Sequence, residues 1–153
     1  GVGNVNPVGE YNVWADPEAA TAVFDAVGAK TMIGWNISRT YAVMTPPETE
    51  RLRSCGRLGR FAVDINADVD KFCRDNGLEG MDFPDPVAMA VALDDSIITE
   101  ATEERLGVGL DGPTRGATLP DRRIKSEPPT IRVVWRVDEA AFKNRLYAAC
   151  SDN

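Results

Sequence analysis

Three times along this chain a short polar residue stands directly before proline at the head of a helical pattern: Asp16-Pro17, Thr45-Pro46 and Asp85-Pro86. A side-chain oxygen at the cap position satisfies an orphan N–H, and proline suits the first helical position because its missing N–H is unneeded there. In "WADPEAATAVFDAVGAK" the apolar residues Ala20, Val23, Phe24 and Val27 recur at helical spacing, and Gly28 supplies a stop. In "TPPETERLRSCG" Thr45 and Glu48 form a capping-box pattern. "FPDPVAMAVALDD" opens at Asp85 and carries small apolar residues, Ala88, Ala90 and Ala92, which suit close packing at the centre of a fold.

Other segments fill the gaps. "TMIGWNI", Thr31 to Ile37, reads as a buried strand. Residues 57–77 read as one long helix with Phe61, Ile65, Val69, Phe72 and Cys73 on a shared face and Gly77 at its end. Leu106, Val108 and Leu110 alternate as in a half-buried strand, and "GPTRGATLPDRR" is a turn-rich hairpin or loop. Ile131, Val133, Trp135 and Val137 alternate in a last strand. The final helix opens at Asp138, with Val137 and Phe142 placed as a hydrophobic staple and Phe142, Leu146 and Ala149 as its buried stripe. Helices alternating with apolar runs predict a single α/β unit over residues 1–153.

That length suffices for one domain with a real core. A net charge of −7 opposes unspecific attraction to nucleic acid or anionic membrane. No apolar run has the length of a membrane span, so neither nucleic acid nor membrane is an expected partner. "DRRIK" is too short a basic run for a nucleic-acid footprint. Cys55, Cys73 and Cys150 lack metal-site spacing and are odd in number, which reads as reduced thiols in a cytoplasmic protein. Histidine is absent, so any imidazole chemistry would have to come from another chain. The chain does not begin with Met, and a polar cluster falls within its first dozen residues. The expectation is a fragment, a split-gene or processed product, or a chain trimmed at a tag.

That cluster, "GNVNPVGEYN", holds amides and a carboxylate around Pro7 and Gly9. A turn whose Asn and Glu side chains cap backbone groups would account for it. With its continuation, "GNVNPVGEYNVWADPEAATAVF" resembles the ribose-binding segment of the nucleoside hydrolases, the inosine–uridine-preferring family and its relatives. "MDFPDPVAMAVALDD" resembles that family's later Asp-Pro helix, and "GPTRGAT" its Thr-Arg-Gly loop. The resemblance covers nearly the whole chain but only the C-terminal half of a typical member. It implies the C-terminal part of an open, mostly parallel sheet flanked by helices.

The resemblance also implies roles. Asn4 and Glu10 would hold the 5′-hydroxyl side of a ribose, Asn12 would contact the 3′-hydroxyl, and Tyr11 would stand beside the sugar. Asp85 would be one ligand of an active-site calcium most of whose other ligands lie outside this chain. These residue types suit such roles, because amides and a carboxylate read a neutral diol by hydrogen bonds and calcium takes hard oxygen ligands. The reaction implied is hydrolysis of a ribonucleoside N-glycosidic bond by calcium-bound water. The Asp-rich motif that supplies the general base is not in this sequence, and catalytic residues stay unassigned. An N-terminal companion polypeptide would carry that motif, and a homo-oligomer is left open.

One departure is chemical. Many members place a histidine just before the calcium-binding Asp, to protonate the leaving base; here Pro84 stands there. Purine-specific relatives instead use aromatic stacking. Trp14, Trp35 and Trp135 are available, although tryptophan in such contexts is more often core. Asp82 could share the metal or be a simple loop carboxylate. Asp94 and Asp95 read as a solvated helix end, and Arg115 as a structural salt bridge before a substrate contact. The alternative to an enzyme is a non-catalytic module of the same ancestry that binds ribose, nucleoside or a partner.

Overall fold

The structure is a computed structural model that describes residues 3–123 and 130–151. Ile124 and Lys125 of the basic run lie outside the described residues. The chain forms two compact units. One contains residues 1–36 and 100–135, the other residues 37–99 and 136–153.

The class expected from the sequence is present: an α/β fold with helices flanking a sheet. Helix α1 spans Tyr11–Ala15 and α2 spans Pro17–Asp25; strand β1 is Lys30–Met32. Helix α3 (Trp35–Tyr41), strand β2 (Val43–Met44) and helices α4 (Pro46–Ser54), α5 (Arg57–Asp64) and α6 (Ala67–Asp75) follow. Strand β3 (Met81–Asp82) leads into helix α7 (Pro84–Leu93) and strand β4 (Ile98–Glu104). Strands β5 (Leu106–Val108), β6 (Thr118–Pro120) and β7 (Ile131–Val137) and helix α8 (Glu139–Cys150) complete the order. The sheet runs β1-β7-β4, with β1 parallel to β7 and Lys30 paired to Ile131. Strands β5 and β6 form a hairpin, one of the two forms the sequence left open, and Leu110, expected in the strand, lies beyond the end of β5.

The helix starts are built as the sequence dictates. Asp16 Oδ1 accepts from the Ala19 N–H at 2.9 Å, and Asp138 Oδ1 accepts from Ala141 at the same distance. Glu48 Oε2 accepts from both the Thr45 N–H and its hydroxyl. Val137 and Phe142 are both buried, as a staple requires.

Several expectations are corrected. The strand expected over residues 31–37 stops at Met32, and α3 starts at Trp35. A short apolar run does not separate strand from buried helix. The long helix over 57–77 breaks at Asn66, whose Nδ2 donates back to the Ala62 carbonyl at 2.8 Å. Most of its expected face is open: Phe61, Ile65, Val69 and Phe72 are exposed, whereas Cys73 of that face is buried, together with Val63. Helix α7 is not enclosed, for Val87 and Val91 are buried while Met89 and Leu93 are exposed. On α8 the buried stripe is Phe142, Tyr147 and Cys150, and Ala149 is exposed.

The core of the first unit gathers Leu106, Ile131 and Val133, with Phe24, Met32 and Trp135 packed against them.

Candidate functional site

The N-terminal turn is held from within and from a distant loop. The Asn4 and Val5 N–H groups both donate to the Gly9 carbonyl, at 3.1 and 3.3 Å. Asn6 Oδ1 accepts from the Val8 and Gly9 N–H groups at 3.0 and 2.6 Å. Asn6 Nδ2 donates to the Arg115 carbonyl at 2.9 Å. Gly9 also bridges to Ala117 in antiparallel fashion.

The Thr-Arg-Gly loop returns the connection. Arg115 Nε donates to the Trp14 carbonyl at 3.1 Å, and Nη1 donates to Leu110 at 2.9 Å. Its guanidinium lies 5.9 Å from the centre of a Trp14 ring. Arg115 is therefore a structural knot, made with carbonyls rather than with the carboxylate expected from the sequence. Gly116 has φ +79°, and a Cβ there would lie 2.6 Å from Trp14 Cα. Only glycine permits that approach.

The residues singled out from the sequence stand on this frame. Asn4 is exposed, and its Oδ1 accepts from the Tyr11 N–H at 2.8 Å, which fixes the entry to α1. Tyr11 and Asn12 are exposed in the first turn of α1. Glu10, just before them, is half-buried. Its carboxylate has no hydrogen bond or ion pair among the described residues, and it lines a cavity of about 220 Å³. Phe24, Met32, Trp35, Val133 and Trp135 share that lining. Trp135 Nε1 donates to Thr102 Oγ1 at 2.7 Å, which orients its indole. An unpaired carboxylate beside apolar and indole walls can accept hydrogen bonds from a hydroxylated ligand.

In the second unit, α7 starts at Pro84 with Phe83 as its cap residue, so Asp85 belongs to the first turn and is not the cap. Its carboxylate is exposed between two prolines and makes no hydrogen bond among the described residues. A free, hard oxygen donor of this kind fits calcium as one ligand. Among the described residues no three His, Cys, Asp or Glu side chains form a metal-holding group. Asp82 is engaged instead: it accepts from Ser38 Oγ at 3.0 Å and from Arg39 Nη1 at 3.1 Å. Asp94 caps the turn after α7 and pairs with Arg145. Hydrogen bonds from Ser96, then Arg145, hold its pKa down at about 2.

Sequence reasoning passed over Asn6. Its signal was the Asn6-Pro7 pair, an ordinary turn initiator.

A family model described as inosine-uridine preferring nucleoside hydrolase matches residues 1–144. The chain belongs to that family. Among nucleoside hydrolases it is similar to uridine nucleosidase 1 of Arabidopsis thaliana, with 32% identity over 150 residues, 90% of this chain and 43% of that protein. It is also similar to the pyrimidine-specific ribonucleoside hydrolase RihA of Klebsiella pneumoniae, with 28% identity over 151 residues, 95% of this chain and 48% of that protein. A solved plant nucleoside hydrolase superposes with a TM-score of 0.88 at 25% identity, covering 99% of this chain and 50% of that one. The chain thus spans about half the length of the nucleoside hydrolases it matches. No helix among the described residues is long and apolar enough to cross a membrane.

Proposed function

We propose that this chain carries the ribose-binding side of a nucleoside N-ribohydrolase. The observation that carries the reading is the unpartnered Glu10 carboxylate, held over an apolar cavity by a turn tied to Arg115. Elsewhere in the two loops polar side chains are spent on the backbone, whereas Glu10 is kept for a ligand. It would accept a hydrogen bond from a ribose hydroxyl, and a charged acceptor makes that bond strong. Asn12 and Tyr11 would meet the sugar from the adjacent turn of α1. The amide nitrogen of Asn4 would remain for the ligand, since its oxygen is committed to Tyr11.

Asp85 would hold a calcium ion as one ligand among several, and the ion, when bound, would acidify a water. The remaining carboxylates and the general base would come from the part of the family fold that this chain does not span, whether on the same polypeptide or on a companion carrying the Asp-rich motif. A non-catalytic ribose-binding module is the second reading, favoured by Pro84 standing where family members place a histidine.

The deciding experiment mixes the chain with such a companion in the presence of calcium and measures ribose release from nucleosides. Turnover that needs both polypeptides supports the enzyme. Ribose or nucleoside binding without release, in an assembled complex, supports the module.

A further inference from the structure

Helices α4 and α8 lie side by side, and their contacts form a regular ladder. Lys143 Nζ meets Glu48 Oε1 at 2.7 Å. One turn on, the Arg51 guanidinium sits 4.1 Å over the ring of Tyr147. The steps are three then four residues on α4, and four then three on α8, so the two helices run in the same direction. One further step of the same spacing reaches Cys55 at the end of α4 and Cys150 at the end of α8. Residues three and four apart share a helix face, and the Cys55 thiol donates to the Arg51 carbonyl at 3.3 Å, on the face that Arg51 occupies.

We propose that Cys55 and Cys150 are a peroxide-oxidisable thiol pair that closes into a disulfide joining the ends of α4 and α8. Cys55 is half-exposed and Cys150 is buried, so the two differ in access. Burial, and then the neighbouring Cys55, push the Cys150 thiol up, which keeps it protonated and leaves first attack to Cys55. The Cys55 thiolate sulfur attacks one oxygen of hydrogen peroxide, the O–O bond breaks, and hydroxide leaves to take a proton as water. Cys55 is then a sulfenic acid. The Cys150 sulfur loses its proton and attacks the Cys55 sulfur, and the S–O bond breaks to release a second water. Two thiols lose two electrons and two protons, and one peroxide becomes two waters. Both residues lie at helix ends, and closure requires a Cα separation of under about 7 Å. Cys73, buried on α6, is the internal reference.

The test titrates the 153-residue chain with hydrogen peroxide, blocks remaining thiols and digests with trypsin. The expected product is Ser54–Arg57 joined to Leu146–Asn153, reversed by dithiothreitol, with Cys73 alkylated throughout. The oxidised chain should melt at least about 5 °C above the reduced chain. That shift should vanish in Cys55→Ser. In Cys150→Ser, Cys55 should persist as a sulfenic acid trapped by dimedone. A link to Cys73, a link between chains, or overoxidation of Cys55 while Cys150 stays a thiol overturns the proposal. The wild-type digest decides the matter even if a variant fails to fold.

Discussion

The side chain of Asn6 donates to the main-chain carbonyl of Arg115, 109 residues away, at 2.9 Å. The same amide accepts from Val8 and Gly9, so one residue closes the N-terminal turn and fastens it to the distant loop. Arg115 in turn grips the carbonyls of Trp14 and Leu110. The placement of Glu10 and α1 follows from this tie.

Replacing Asn6 with alanine removes three hydrogen bonds and leaves the Arg115 carbonyl without that donor. The expected cost is about 1–3 kcal/mol, measured by urea unfolding. The turn should also loosen, so ligand affinity should fall alongside stability. Unchanged stability would mean that the tie is not formed in solution.

Glu10→Gln separates binding from folding. The carboxylate has no partner among the described residues, so the melting temperature should stay within about 2 °C. Loss of a charged acceptor should weaken ribose or nucleoside binding by about tenfold or more in the assembled protein. Calorimetry with wild type and variant checks this. Equal affinities would remove Glu10 from the site.

Glu48 gives a pH test. Burial works against its charge, but the Lys143 ammonium and the Thr45 N–H and hydroxyl outweigh it, so its pKa lies below the ordinary 4.5. A depressed carboxylate stabilises the fold fully above its unfolded value. That contribution fades as pH falls below 4.5 and through the folded value. Wild type should therefore exceed Glu48→Gln in melting temperature at neutral pH, and the gap should close on acidification. A gap constant with pH would show that the ion pair contributes little.

What could be read from the sequence was local. Asp16, Thr45, Glu48 and Asp138 cap within three residues of their own helices, so position alone reveals them. The break at Asn66 was hidden because Phe61, Ile65 and Val69 continue an apolar period that solvent, not core, receives. Strand β4, "ITEATEE", lacks apolar alternation, and its place follows from its neighbour β7 in the sheet. The positions proposed to meet a ribose, Asn4, Glu10, Tyr11 and Asn12, were named from a family pattern. The Asn6–Arg115 tie was not, since nothing in either loop names its partner.

Departure of the nucleobase should bear the mark of Pro84. At the head of α7, this residue occupies the position from which an imidazole acid is expected by resemblance. Proline has no proton to give, and the sequence contains no histidine. Proton delivery to a departing base contributes typically about 10²–10⁴-fold when a positioned acid is present. An assembled enzyme built on this chain should then gain most with substrates whose leaving group needs no proton. Activated aryl ribosides should exceed ordinary pyrimidine nucleosides in kcat/KM by about that factor. The acidic limb of the pH–rate profile should lack any group near about 6.5 contributed by this chain. Comparable rates on uridine and an activated aryl riboside would show that another side chain, or the companion polypeptide, supplies the acid.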